Sequence, residues 1–209
     1  MPLPFPRSGL YAITPPPERD FDQWLARIEA ALQGGVSVLQ LRNKTGRLAP
    51  AQAAAVAGLC REYAVPLIVN DDVELALRIR ADGVHLGRHD APLAHARERL
   101  GPGAIVGVSC YADLQRACEA EATGATYVAF GAFFPSASKP EATPAPLALL
   151  PEARSCLTCP VVAIGGITLD TAPRLLKAGA DLLAAIGAVF ATADPRSAAR
   201  AFARLWDEG

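Results

Sequence analysis

The chain of 209 residues is expected to fold as one α/β domain, a closed (β/α)8 barrel of the TIM type spanning residues 1–209. Three observations carry that expectation. The hydrophobic share of 51% is enough to fill one core, short aliphatic runs alternate with longer Ala-, Leu- and Arg-rich stretches, and there are eight such runs. An open flavodoxin-like sheet competes, but it uses fewer strands and leaves edges exposed.

The candidate strands are residues 10–14, 36–41, 67–70, 83–86, 105–109, 127–131, 161–165 and 182–186, each a short β-branched or aliphatic run as parallel strands require. Phe21, Trp24, Leu25, Ile28, Ala31 and Leu32 recur at spacings of three and four and form one helical stripe, which stops at Gly34-Gly35. Helices over 93–100, 114–123 and 171–178 end before Gly101, Gly124 and Gly179. Asp72 reads as the cap of the helix after strand three, and Thr168-Leu169-Asp170 as the start signal of the seventh helix. Prolines over 144–151 blur the start of the sixth. The Pro- and Ser-rich segment 134–146 follows strand six, where a plain surface loop and a lid over the active face are both open.

The formal net charge is -1 and the pI near 6.3, with both signs mixed along the chain, so no footprint for nucleic acid is present. No window approaches ~20 uninterrupted apolar residues, which argues against a membrane span. The start, Met-Pro-Leu-Pro-Phe-Pro-Arg, lacks the pattern of a signal peptide, and a cytosolic protein acting on small molecules is expected. A homo-oligomer is left open. Five cysteines are an odd number and argue against a disulfide framework. Cys156 and Cys159 have the spacing of half a zinc knuckle or of a redox pair, but without a second pair they read as incidental thiols.

In a barrel of this kind the carboxyl ends of the strands converge on one mouth, so polar residues there are the first suspects for function. Strand two ends in Gln40-Leu41-Arg42-Asn43-Lys44, where alternation sends Gln40, Arg42 and Lys44 one way and Leu41 toward the helices. Strand three ends in Asn70-Asp71-Asp72 and strand four leads through His85 and Gly87 to Asp90. Two carboxylates, Asp71 and Asp90, at adjacent strand ends suit Mg²⁺, which keeps waters and takes other ligands from phosphates. A general acid/base pair is the rival reading. A zinc site at His85 and His89 is disfavoured, because their spacing shares a face only on a helix. Ser109 ends strand five without an evident His and Asp pair, so it suits substrate orientation better than nucleophilic attack.

After strand six come Ser136, Ala137, Ser138 and Lys139, the last a third cation. Strands seven and eight end in Gly165-Gly166 and Ile186-Gly187, each expected to open a helix whose N–H groups would receive a phosphate. Arg42, Lys44, Lys139 and one Mg²⁺, less Asp71 and Asp90, leave a net charge of about +3, which matches the roughly −3 of an organic diphosphate. The glycine-lined half would take a second phosphate.

These residues, in this order and spacing, resemble the thiamine phosphate synthases nearly end to end, from Leu10-Tyr11-Ala12-Ile13-Thr14 to Gly165-Gly166-Ile167. The resemblance implies a transfer in which hydroxymethylpyrimidine diphosphate loses diphosphate and the nitrogen of hydroxyethylthiazole phosphate takes the freed methylene. It further implies that Gln40, Arg42, Lys44, Asn70 and Lys139, with Leu41 and Asn43 in the same segment, hold the pyrimidine diphosphate. Ser109 would contact the pyrimidine, and Asp71 and Asp90 would bind Mg²⁺. Ser136, Ala137, Ser138, Gly166, Ile186 and Gly187 would bind the thiazole phosphate. Lys139, Ser109 and Arg42 would be the catalytic groups. Serine is common in the family where Gly187 stands, and a histidine is frequent where Cys110-Tyr111 follow Ser109. The rivals are a thiazole tautomerase-like isomerase, which needs no diphosphate cage, and a non-catalytic barrel that binds a phosphorylated metabolite.

Overall fold

A computed structural model describes residues 3–44, 46–135 and 144–207. The strands are β1 (Gly9–Ile13), β2 (Val38–Leu41), β3 (Leu67–Asn70), β4 (Gly83–Leu86), β5 (Ile105–Tyr111), β6 (Tyr127–Phe130), β7 (Val161–Ile164) and β8 (Leu182–Ala185). They close in chain order into one barrel, and every neighbouring pair is parallel. Helices follow the strands: α1 (Phe21–Gln33), α2 (Pro50–Glu62), α3 (Val73–Ile79), α4 (Leu93–Leu100), α5 (Leu114–Ala122), α6 (Leu149–Cys156), α7 (Ala172–Ala178), α8 (Gly187–Phe190) and α9 (Pro195–Ala203). The (β/α)8 expectation holds. Among the described residues no helix is long and apolar enough to cross a membrane.

Two apolar layers result from the two faces of each strand. Leu10, Ala12, Leu39, Leu41, Val69 and Val128 face outward and pack with Trp24, Ile28 and Val56 of the helices. Tyr11, Ile13, Val38, Ile68, Ile105, Tyr127, Val162 and Leu182 fill the barrel interior, with Phe5 stacked on the Tyr127 ring at a centroid distance of 4.2 Å. Because outward and inward residues alternate, Leu41 is committed to the outer layer and Gln40 to the interior.

Local capping follows the sequence. Asp72 accepts from the backbone N–H of Leu75 at 2.8 Å and starts α3; Asp20, Asp113 and Asp194 do the same for α1, α5 and α9. Gly179 takes a left-handed conformation after α7. Three expectations need correction. β5 runs two residues past Ser109, with a register shift between Ser109 and Tyr111. Gly165-Gly166 does not open a helix: α7 begins at Ala172, and Thr171, rather than the 168–170 triplet, occupies its cap position, hydrogen-bonded to Thr168. Ile186-Gly187 does open a helix, α8.

Candidate active site at the strand ends

The interior of the barrel turns polar toward the mouth. Among the described residues the buried polar side chains other than tyrosine are Thr14, Gln40 and His85, all on the mouth side of their strands. Burial of such groups requires partners, and they have them. Gln40 Nε2 donates to Tyr11 Oη at 3.0 Å, Tyr11 Oη lies 2.7 Å from Tyr127 Oη, and Tyr127 Oη lies 2.9 Å from His85 Nδ1. His85 Nε2 then lies 2.8 Å from Ser109 Oγ. One hydrogen-bonded chain thus crosses the interior from β2 to β5 through β1, β6 and β4.

Strand register explains how Tyr127 reaches His85. His85 pairs with Gly107, and Gly107 with Tyr127, so the glycine sits between them. A Cβ at position 107 would stand 2.0 Å from Tyr127 Cζ, so only glycine leaves the tyrosine ring room to cross β5. Burial pushes the Tyr11 hydroxyl far above its ordinary range and does the same to Tyr127, so both stay protonated.

The charged part of the mouth lies on β2, β3 and β4. Asp71 follows β3 with a φ of 66°, a left-handed conformation that Asp tolerates better than most residues, and its N–H donates to His85 O at 2.8 Å. Its Oδ2 accepts from Asn70 Nδ2 at 2.6 Å and pairs with Lys44 Nζ at 2.6 Å. Asp90 accepts from the Gly87 N–H at 2.6 Å and lies within hydrogen-bonding reach of Asp71. The Arg42 N–H donates to Thr14 Oγ1 at 3.0 Å, and among the described residues no carboxylate pairs with its guanidinium.

Burial raises the Asp71 carboxyl above the usual carboxylate range, and the hydrogen bond it donates to Asp90 adds to it, against the pull of Lys44. Asp90 goes the other way. Burial alone would raise it, but the hydrogen bonds from Asp71 and from the Gly87 N–H outweigh that and hold it below its usual range. Two carboxyl groups within hydrogen-bonding reach of each other repel unless a proton or a cation lies between them. That is a fit for a divalent cation held by two carboxylates and completed by substrate oxygens. Among the described residues no group of three or more metal-ligating side chains occurs.

The other half of the mouth is lined by backbone. Gly166, with a φ of 60°, lies so close to the chain at Phe134 and Pro135 that a Cβ there would stand 2.4 Å from Pro135 O. Phe133 N–H donates to Ile164 O and Phe134 N–H to Gly165 O, each at 3.1 Å, so the segment leaving β6 is laid along the end of β7. A Cβ at Gly187, the first residue of α8, would meet nothing within 4 Å. Gly187 begins α8, and the first N–H groups of a helix have no partner within it.

The structure therefore gathers Gln40, Arg42, Lys44, Asn70, Asp71, Asp90 and Ser109 around the ends of β2 to β5. Leu41 is buried in the outer layer, and Asn43 holds its own loop by accepting from the Leu48 N–H at 3.2 Å, so neither side chain faces the mouth. Ser136, Ala137, Ser138 and Lys139 lie outside the described residues. Tyr11 and Tyr127 were absent from the sequence-based set. Their signal was a tyrosine at an inward-facing position of an apolar strand, which needs a partner for its hydroxyl. Cys156 stands not with Cys159 but with Cys118, at an Sγ–Sγ distance of 3.7 Å.

Fold and mouth define a (β/α)8 barrel with a cluster of ionisable groups at its strand ends, the class in which βα loops carry the chemistry. Within that class the chain belongs to the thiamine monophosphate synthase family, whose sequence profile matches residues 10–189. It is 52% identical over 200 residues to a thiamine-phosphate synthase of an Azoarcus species, covering 95% of this chain and 97% of the relative. It is 51% identical over 204 residues to that of Methylobacillus flagellatus, covering 97% of each. A solved thiamine phosphate pyrophosphorylase from Pyrococcus furiosus superposes with a TM-score of 0.85 at 36% identity, over 97% of this chain and 96% of that one.

Proposed function

We infer that the protein joins two phosphorylated small molecules: the C–O bond of hydroxymethylpyrimidine diphosphate breaks, and its methylene carbon bonds to the ring nitrogen of hydroxyethylthiazole phosphate, giving thiamine phosphate and free diphosphate. The observation that carries this reading is the facing pair Asp71 and Asp90, with Lys44 Nζ on Asp71 Oδ2. Arg42, just past the end of neighbouring β2 and without a carboxylate partner among the described residues, supports it.

In this reading Asp71 and Asp90 hold Mg²⁺, which neutralises charge on the departing diphosphate. Arg42, Lys44 and Lys139 supply positive charge to the same leaving group, and Asn70 orients it. Lys44 would exchange part of its contact with Asp71 for phosphate oxygens. Gln40 and Ser109 stand at the two ends of the interior hydrogen-bonded chain and orient the pyrimidine. An amino-substituted pyrimidine spreads the positive charge that develops on its methylene, so no protein nucleophile is needed. Leu41 and Asn43 would contribute through backbone alone, since the fold uses their side chains.

Gly166, Ile186 and Gly187, with Ser136, Ala137 and Ser138, receive the thiazole phosphate on backbone N–H groups and hydroxyls. Laying the segment after β6 along β7 brings the two halves together and would keep water from the cationic carbon. Freely diffusing phosphorylated substrates fit a cytosolic protein.

Equilibrium binding separates the halves. Binding of the pyrimidine diphosphate should require Mg²⁺ and weaken at least tenfold in Asp71→Asn, whereas binding of the thiazole phosphate should do neither. Mg²⁺-independent binding of the pyrimidine diphosphate would overturn the assignment.

A further inference from the structure

We propose that Cys118 and Cys156, on the outer surface of the barrel, form an oxidisable dithiol that closes to an intramolecular disulfide by exchange with a small-molecule disulfide. Cys118 lies in the middle of α5 and is partly buried, and Cys156 is the last residue of α6 and exposed. Their sulfurs are 3.7 Å apart, so a bond of about 2.05 Å needs a closure of less than ~2 Å. Cys156 is placed to supply it. α6 stops there and the chain turns extended at Leu157, so its side chain is not locked inside a helix on both sides.

The other thiols do not compete. Cys60, Cys110 and Cys159 are buried, and burial pushes each of their thiols up to about 12; the Cys156 thiol is also raised, by burial and by its contact with Cys118, but it is exposed to an external disulfide. Cys159, the sequence neighbour that the spacing singles out, is turned into the core with its N–H bonded to Glu121.

The chemistry balances in two displacements. The Cys156 thiolate attacks one sulfur of the external disulfide, forms a mixed disulfide and expels one thiolate. The Cys118 thiolate then attacks the Cys156 sulfur, forms the Cys118–Cys156 bond and expels the second. Two protein thiols are oxidised and one external disulfide is reduced to two thiols. The bond ties together α5 and α6, the helices before and after β6.

Glutathione disulfide is the probe. After incubation the folded wild-type protein should show three free thiols of its five cysteines, and its proteolytic map should contain one linked pair, Cys118 with Cys156. Cys118→Ser should stall with a glutathione adduct on Cys156, and Cys156→Ser should keep its thiols free. A wild-type protein that retains all five thiols would overturn the proposal. So would a map that links Cys156 to Cys159, or an adduct on wild-type Cys156 that persists as it does in Cys118→Ser. The wild-type map decides the matter even if a variant fails to fold.

Discussion

Tyr127 Oη lies 2.9 Å from His85 Nδ1 although Gly107 occupies the strand position between them. The contact exists because position 107 has no side chain, and three strands are coupled through one absent methyl group. Gly107→Ala would place a Cβ 2.0 Å from the buried Tyr127 ring, which is stacked against Phe5. Overpacking of this kind costs about 1–3 kcal/mol. Urea unfolding should show that loss, and an unchanged midpoint would mean that the ring is not held where the structure has it.

Tyr127→Phe removes the hydroxyl that bridges Tyr11 and His85 and takes one buried hydrogen bond from each, while Tyr11 keeps Gln40 and His85 keeps Ser109. A loss of about 1–3 kcal/mol is expected. The His85 ring ¹⁵N resonances should also shift, which mere loosening of the core elsewhere would not produce.

Asp71→Asn keeps shape and removes charge. The Lys44 partner is half exposed, so the lost ion pair should cost only about 0–1 kcal/mol of stability. Turnover should fall by at least about a hundredfold, because the group acts on the leaving diphosphate. Lys139→Ala should behave alike. Near-normal rates in either variant would remove the assigned role.

The raised Asp71 carboxyl makes cation binding pH-dependent. Its proton must leave before a divalent cation enters, so binding releases a proton and weakens as pH falls from neutral toward the raised carboxyl range. At higher pH the dependence should vanish. Calorimetric Mg²⁺ titration in buffers of different ionisation enthalpy reads the proton directly, and an affinity that does not change with pH would contradict the shared carboxylate pair.

Gly187 stands at the start of α8 with open space where a side chain would begin. Gly187→Ser should fold normally and bind thiazole phosphate up to about tenfold more tightly, through one added hydroxyl at a helix N-terminus. Weaker binding would mean that the ligand phosphate already fills this space.

The barrel was legible because its two faces write two patterns: Leu41 and Gln40, adjacent in sequence, go to opposite layers as alternation requires. Asp71 and Asp90 were legible as strand-end carboxylates, and their contact follows from adjacent strands once the barrel closes. Tyr11 and Tyr127 were not, since a tyrosine in an apolar strand looks like core until its hydroxyl partner, 116 residues away, is known. The same holds for Cys118, whose partner is set by helix packing and not by spacing. Gly165-Gly166 misled because glycines that let one loop press on another look in sequence like glycines that start a helix.

The central claim is that one mouth joins two phosphorylated substrates. Protein mixed with Mg²⁺, hydroxymethylpyrimidine diphosphate and hydroxyethylthiazole phosphate should release thiamine phosphate and diphosphate in equal amounts, and neither should appear when any one component is left out. Diphosphate released without thiamine phosphate, or no product at any time, would contradict it.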